Sequence, residues 1–186
     1  ALAGIFSLQH FPKISEDCLQ ATLNETRADK LAVYGVGQGN ANALLNANSP
    51  ITCHPLPSLY FDLGAGVYRN KHTTPTPLLF CFTLCPPIIL SHWDADHWAG
   101  AYATGVSTPP TYPALLRTWI APLQTVGPLH IAFANDIIAQ GGKLYIYNPP
   151  PGKINKVALS KRTELRLALG TGNGRNDTGI VAVVEN

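Results

Sequence analysis

The chain has 186 residues, enough for one domain with a substantial core; 46% of them are hydrophobic and 13% are charged. The formal net charge of +2 is too small to indicate nucleic-acid or membrane binding by bulk charge, although a basic groove on a neutral protein remains compatible with it. No apolar run approaches the roughly 20 residues of a membrane span, and four cysteines make no disulfide framework. We therefore expect a cytoplasmic α/β protein with no membrane segment, whose oligomeric state the sequence does not predict.

The pattern of elements along the chain predicts alternating strands and helices in the middle, followed by strands alone. Helices are expected at 16–28, capped by Ser15, at the start of 97–104, and at 128–140. A loop rich in proline and threonine is expected at 67–86. Strands are expected at 31–36, 41–45, 59–66, 119–121, 143–148, 154–158, 163–168 and 179–184.

The ends of the chain suggest a piece of a longer polypeptide. There is no methionine, and the final residues look like a buried strand. We expect a single domain over 1–186 that lacks its C-terminal part, with residues 1–30 as an N-terminal extension whose structure the sequence leaves undefined.

Four potential metal ligands lie within six residues, directly after an apolar run: His92, Asp94, Asp96 and His97. Imidazole nitrogen and carboxylate oxygen suit zinc, manganese or iron(II). In an extended segment the first three side chains point to one side, and a helix start would swing His97 toward the same point. The alternative makes Asp94 or Asp96 a helix cap and the histidines incidental. Four such groups are costly to bury unpaired, so the sequence favours a metal site.

Other polar motifs give weaker signals. Gly35-x-Gly37-x-Gly39 after a strand suggests a dinucleotide loop, but the third glycine of that pattern is missing and a tight turn between strands explains it better. Two cysteines at the spacing Cys81-x3-Cys85 can share a zinc, yet no second pair accompanies them and burial as small hydrophobes is commoner. The remaining histidines have less support as ligands, with His130 ahead of His10, His54 and His72.

Four segments in order resemble motifs of the metallo-β-lactamase superfamily, most closely the branch of DNA-uptake (competence) metallo-hydrolases. They are the strand-turn 36–41, the aspartate-glycine motif 61–66, the metal loop 88–100 and the asparagine-containing turn and strand 175–181. The resemblance implies a four-layer αββα fold, in which two β-sheets lie between layers of helices, here without its C-terminal part. Aspartate at position 94, where the superfamily usually has histidine, is normal in the competence-type branch and admits manganese or iron besides zinc.

The resemblance also implies roles for individual side chains. His92 and Asp94 would bind one metal ion and Asp96 and His97 a second, so that the complete protein holds two ions, with zinc as the first expectation. Asp62 would hydrogen-bond the loop and orient its ligands. Asp96 would also act in catalysis by orienting the attacking water. The bridging aspartate of a Gly-Asp motif and a later histidine, both usual in the family, do not occur in this sequence.

The function implied is a metal-dependent hydrolase that acts on a small-molecule or nucleic-acid phosphodiester through a metal-activated water. Phosphodiester chemistry rests on the competence-type resemblance alone. The alternative is a non-catalytic, metal-stabilised scaffold or sensor, which the incomplete ligand set favours. A nucleotide-binding protein of the Rossmann type is a third hypothesis.

Overall fold

The computed structural model describes residues 7–48, 51–52, 54–103 and 110–186. Two β-sheets form its centre, and the helices are few and short. In chain order the helices and strands are α1 Glu16–Leu23, β1 Lys30–Val33, β2 Ala41–Asn46, β3 Leu56–Leu63, β4 Ile88–Ile89, β5 Thr118–Pro122, α2 Pro128–Ala139, β6 Lys143–Tyr147, β7 Asn155–Ala158, β8 Glu164–Leu169 and β9 Ile180–Glu185. Short 3₁₀ turns cover Leu8–His10, Tyr68–Thr73, Ala95–His97, Ala99–Tyr102 and Pro113–Leu116.

The first sheet has six strands in the order β1-β2-β3-β4-β5-β6. Strands β1 to β3 are antiparallel neighbours, whereas β3 to β6 run parallel to one another. Parallel strands are buried on both faces, which explains why β4 and most of β3 and β5 consist of buried residues. Since neighbouring parallel strands end at the same edge, the residues after β3 and β4 lie side by side.

The two faces of this sheet pack against different partners because successive side chains alternate. Tyr60, Ile88 and Trp119 belong to a core that they share with buried residues of α2. Their sequence neighbours Leu59, Ile89 and Ile120 pack into a second core with the smaller sheet.

The second sheet is antiparallel, with the order β7-β8-β9. Its inward residues, including Val157, Leu165 and Leu167, contribute to the second core. Outward residues such as Val181 and Val183 are exposed, and no helix of the described residues covers that face. The predicted α/β fold of two packed sheets is confirmed, and three of the four predicted layers, α2 and the two sheets, are present in the described part.

Helix α1 closes one side of the space between the sheets. Ser15 caps it, as predicted, by accepting a hydrogen bond from the Cys18 backbone amide. Leu19 and Leu23 are buried in the second core, and the Gln20 side chain bonds the backbone of Ala158 in β7. This side-chain pairing occupies the otherwise open edge of β7.

Two helix predictions were too long. Helix α1 ends at Leu23 instead of residue 28, because Thr26 is buried and both it and Arg27 hydrogen-bond Ser58 of β3. The helix expected from His97 is instead a pair of 3₁₀ turns that begin at Ala95, with Trp98 out of helical geometry between them. Thr104, the end expected for that helix, lies outside the described residues.

The expected loop at 67–86 is irregular apart from the 3₁₀ turn at 68–73. Residues 34–40 join β1 to β2, which pair as an antiparallel hairpin. The dinucleotide-loop interpretation was wrong, because the glycines connect two neighbouring strands, as the alternative predicted, although by a seven-residue loop and not by a tight turn. Within the described ranges, no helix is both long and apolar enough to cross a membrane.

Candidate metal centre

The loop that follows β4 carries all four predicted ligands beside the end of β3. Asp62 is the second-to-last residue of β3, and Ser91 follows the end of β4 after one residue, Leu90. The parallel pairing of β3 and β4 therefore brings Asp62 next to residues that lie about 30 positions later in the chain.

Asp62 is fully buried and hydrogen-bonded on both carboxylate oxygens. Its Oδ1 accepts the Ser91 backbone amide at 2.7 Å, and its Oδ2 accepts the Ser91 hydroxyl at 2.7 Å, the Asn40 amide at 3.0 Å and His97 Nδ1 at 2.8 Å. Its φ of 62° lies in the left-handed region, which is uncommon for a residue other than glycine. We call Asp62, Asn40, Ser91 and His97 the Asp62 hub.

The hub sets the tautomers of both loop histidines. His97 donates a hydrogen bond from Nδ1–H to Asp62, so in the neutral ring Nε2 carries the free lone pair. The Ser91 hydroxyl donates to Asp62 and must therefore accept from His92 Nδ1, 2.9 Å away. His92 Nε2 then carries its lone pair as well. A carboxylate or hydroxyl behind the Nδ1 atom is the arrangement typical of metal-ligating histidines.

His92 Nε2 is buried and has no hydrogen-bond partner among the described residues. Asp94 Oδ2 is 3.4 Å away, which is close enough for an ion pair with a charged imidazole but is not a hydrogen bond. The neutral ring is the form expected here, since burial and the neighbouring His97 lower the pKa of His92. An unpartnered, buried lone pair facing a carboxylate fits a bound cation.

The two imidazole rings lie against each other, with their centroids 3.9 Å apart. Burial lowers the pKa of His97, but its hydrogen bond to Asp62 and the surrounding carboxylates outweigh burial, so the pKa lies above the ordinary imidazole value. The rings thus differ in proton affinity although they are neighbours.

Asp94 and Asp96 lie in different surroundings. Asp94 Oδ1 accepts a hydrogen bond from Arg175 Nη1 at 2.5 Å, and both side chains are about one-third exposed. The Asp96 carboxylate makes no hydrogen bond or ion pair within the described residues. We call Asp94, Arg175 and Gln124, which holds the Arg175 backbone, the Arg175 rim.

No group of three or more His, Cys, Asp or Glu side chains in the described part of the chain is gathered closely enough to hold a metal ion. One of the four predicted ligands, the Asp94 carboxylate, is drawn toward Arg175 by its hydrogen bond. The donor chemistry fits a divalent cation, because two Nε2 lone pairs and two carboxylates lie on one short loop. The roles of His92, Asp94, Asp96, His97 and Asp62 as ligands or supports stay predictions.

Glycines allow three loops to meet at Asp96. A Cβ added to either Gly39 or Gly64 would overlap the Asp96 carbonyl oxygen, and Gly39 also has a φ of 109°. A Cβ on Gly179 would overlap the Ser91 carbonyl, which accepts the Ile180 backbone amide at 2.7 Å. The metal loop is therefore clamped between the β1–β2 turn, the end of β3 and the start of β9.

The other candidate ligands have different surroundings. His130 Nδ1 accepts the Gly127 backbone amide at the start of α2, as expected for a polar residue near a helix start, and Arg175 lies 3.3 Å from its Nε2. His10, His54 and His72 are exposed. Cys81 contacts the Thr83 hydroxyl, and Cys85 is exposed.

Sequence reasoning assigned no role to Ser91, Asn40, Gln124 or Arg175. Ser91 and Asn40 lie inside the recognised motifs, but a hydroxyl or amide there has no local pattern that reveals a buried partner. Arg175 is 81 residues from Asp94, so only the fold brings them together.

No family model matches the chain, and no curated protein matches it significantly. Among solved structures, the chain is similar to Zn²⁺-bound PqqB from Methylobacterium extorquens, with 13% sequence identity and a TM-score of 0.36. The match covers 78% of this chain and 48% of that protein, so the chain spans about half of its length. This likeness is too weak to assign a fold, a metal or an activity to the chain.

Proposed function

We propose that this chain belongs to a metal-dependent hydrolase of the metallo-β-lactamase type that cleaves phosphodiesters. One observation carries the proposal: His92 Nε2 is buried, without a hydrogen-bond partner, and faces Asp94. A neutral imidazole in that position gains a partner when a cation binds, which offsets the cost of its desolvation. The competence-type resemblance of the loop supports the choice of phosphodiester.

The chain's own residues would divide the work as follows. His92 would present Nε2 to one metal ion and His97 would present Nε2 to a second, with their rings held through Nδ1 by Ser91 and Asp62. Asp94 would add its Oδ2 while Oδ1 remains on Arg175. Buried hydrogen bonds of this kind fix ring orientation and raise ligand basicity.

Asp96 would serve both as a ligand and as the group that orients the attacking water. Its carboxylate has no partner in the described residues, and its backbone is fixed by the surrounding glycines. A bound divalent cation supplies Lewis acidity and an activated water near neutral pH. Asp96 would accept a hydrogen bond from that water and align it with the phosphorus.

The test combines metal analysis with hydrolysis of bis(p-nitrophenyl) phosphate, after loading with zinc or manganese. Wild type is expected to retain metal through dialysis and to hydrolyse the diester, whereas Asp96→Ala should lose at least about 100-fold in kcat, a typical loss for a group of this kind. Asp17→Ala, an exposed carboxylate in the first turn of α1, is the matched control and should behave as wild type. Equal activity in Asp96→Ala and wild type would disprove the catalytic role.

A non-catalytic, metal-stabilised scaffold or sensor is the second candidate. It is favoured by the absence of a gathered three-ligand group in the described residues. It predicts that metal raises the midpoint of thermal unfolding without producing diester hydrolysis. The same loaded samples therefore separate the two candidates.

A further inference from the structure

A small polar cavity lies beside the metal loop, between the segment after β5 and the β8–β9 loop. Its volume is about 230 Å³. It is lined by side chains that carry amide, hydroxyl or guanidinium groups and by one glycine: Gln124, Thr125, Asn173, Gly174, Arg175 and Thr178. Arg175 is the only charged residue of this lining, and its Nη1 is paired with Asp94, which is not among the lining residues.

Most of the Arg175 guanidinium is available for a ligand. A guanidinium has five N–H donors, and here Nη1 bonds Asp94, whereas Nε and Nη2 make no hydrogen bond within the described residues. His130 does not satisfy the group: its Nδ1 accepts a backbone amide, so the neutral ring carries its proton on the Nε2 that faces Arg175. Two donors face each other there, and the free edge of the guanidinium stays unpaired.

Gln124 fixes the cavity relative to the metal loop. Its Nε2 donates to the Arg175 carbonyl at 2.7 Å and to the Thr178 hydroxyl at 3.0 Å. Its Oε1 accepts the Trp93 backbone amide at 3.2 Å, between His92 and Asp94. One side chain thus joins the β8–β9 loop to the loop of the predicted ligands and holds the Arg175 backbone beside it.

We propose that this cavity binds an anionic phosphate group of the substrate, with the free edge of Arg175 as its main donor. The inference rests on the proposed function and deepens it, because it places the diester's negative charge beside the predicted metal ligands. Guanidinium forks match phosphate oxygens in geometry as well as in charge. The Asn173 amide and Thr125 hydroxyl are further donors in the lining.

The first test measures ligand binding to chelator-treated protein, which separates it from catalysis. Dimethyl phosphate, an anionic diester, should bind, whereas the neutral trimethyl phosphate should not, as measured by NMR chemical-shift titration. Arg175→Met should weaken dimethyl phosphate binding by about tenfold or more, the usual effect of losing a charge-assisted hydrogen bond. Arg162→Met, an exposed arginine in the β7–β8 turn, is the matched control and should bind as wild type.

A second variant leaves the Asp94–Arg175 pair in place. Thr125 is exposed, and Thr125→Asp puts a negative charge into the cavity lining. It should weaken dimethyl phosphate binding and raise KM for bis(p-nitrophenyl) phosphate more than it lowers kcat. Unchanged binding in Arg175→Met or in Thr125→Asp would overturn the inference, as would equal binding of trimethyl phosphate.

The outcomes also separate this inference from the proposed function. If the anion binds as described but the metal-loaded protein hydrolyses no diester, the proposed function fails while the cavity assignment stands. If hydrolysis occurs and neither variant changes binding or KM, the cavity assignment fails while the proposed function stands.

Discussion

The Asp62 hub contacts both ends of the loop at residues 91–97, through Ser91 and His97, whereas the Arg175 rim contacts the middle of the loop at Asp94. The two are built in different ways. Asp62 is fully buried and accepts four hydrogen bonds from three residues. Asp94 and Arg175 are each about one-third exposed and make one close ion pair. One carboxylate is therefore fixed by its surroundings, whereas the other can exchange its partner at small cost.

This difference indicates separate roles. A rigid hub orients the imidazole rings before any ligand binds, which is what a preorganised site requires. A solvent-accessible ion pair is weakly held because water competes for both charges. If the chain binds metal and substrate as proposed, the rim would respond to them while the hub would preserve the orientation of the histidine rings.

The largest expected effect is at the hub, with Asp62→Ala. Removal of the carboxylate leaves the Ser91 amide, the Ser91 hydroxyl and His97 Nδ1 without their acceptor, in a buried place. We expect a loss of roughly 3 kcal/mol in the free energy of unfolding, measured by urea denaturation with chelator present. Exposed Asp29→Ala, which removes one hydrogen bond to the Ala47 amide, should cost less than about 1 kcal/mol. Equal losses in the two variants would mean that the hub is no more rigid than the surface.

The second prediction concerns the glycines that bring the loops together. Gly64→Ala should cost about 2 kcal/mol, because the new Cβ overlaps the Asp96 carbonyl and the Asn40 backbone. Gly35→Ala is the matched control, since nothing lies within 4 Å of its added Cβ, and it should change stability by less than about 0.5 kcal/mol. Thermal unfolding of both variants measures the difference. A Gly64→Ala protein as stable as the control would show that the loop can move away from β3.

The strands and the cluster of candidate ligands could be predicted from the sequence, whereas the end of α1 and the Asp94–Arg175 pair could not. Strands β3, β4 and β5 were predictable because most of their residues are apolar, and the cluster of ligand types in 92–97 was visible from spacing. The end of α1 could not be predicted, because the burial of Thr26 and its contact with Ser58 oppose helix propensity. The Asp94–Arg175 pair could not be predicted either, because 81 residues separate its members and only the fold brings them together.

The third prediction tests how the hub sets the tautomer of His92. Ser91→Ala removes the acceptor of the His92 Nδ1 proton and one hydrogen bond to Asp62. We expect a stability loss of about 1 to 2 kcal/mol and a mixture of His92 tautomers, read from ring ¹⁵N shifts in metal-free protein. The control is Ser160→Ala, because the exposed Ser160 hydroxyl accepts hydrogen bonds from two backbone amides in the β7–β8 turn. This variant controls for the loss of stability, and its histidine ring spectrum should match that of wild type. If the ring ¹⁵N shifts of His92 are unchanged in Ser91→Ala, the Ser91 hydroxyl does not set the His92 tautomer.

The smallest effect on stability is expected at the rim, with Asp94→Asn. Because both partners of the ion pair are partly exposed, its loss should change the free energy of unfolding of the metal-free protein by less than about 1 kcal/mol. The same substitution removes an anionic oxygen that faces His92 Nε2, so metal retained through dialysis and the stabilisation gained from added zinc should both fall. Urea denaturation with and without metal measures these quantities on one protein. If Asp94→Asn were as damaging as Asp62→Ala in the metal-free protein, the Arg175 rim would be as rigid as the Asp62 hub. If Asp94→Asn lowers the free energy of unfolding little without metal but much with it, the Arg175 rim acts in metal binding and the Asp62 hub maintains the structure of the loop.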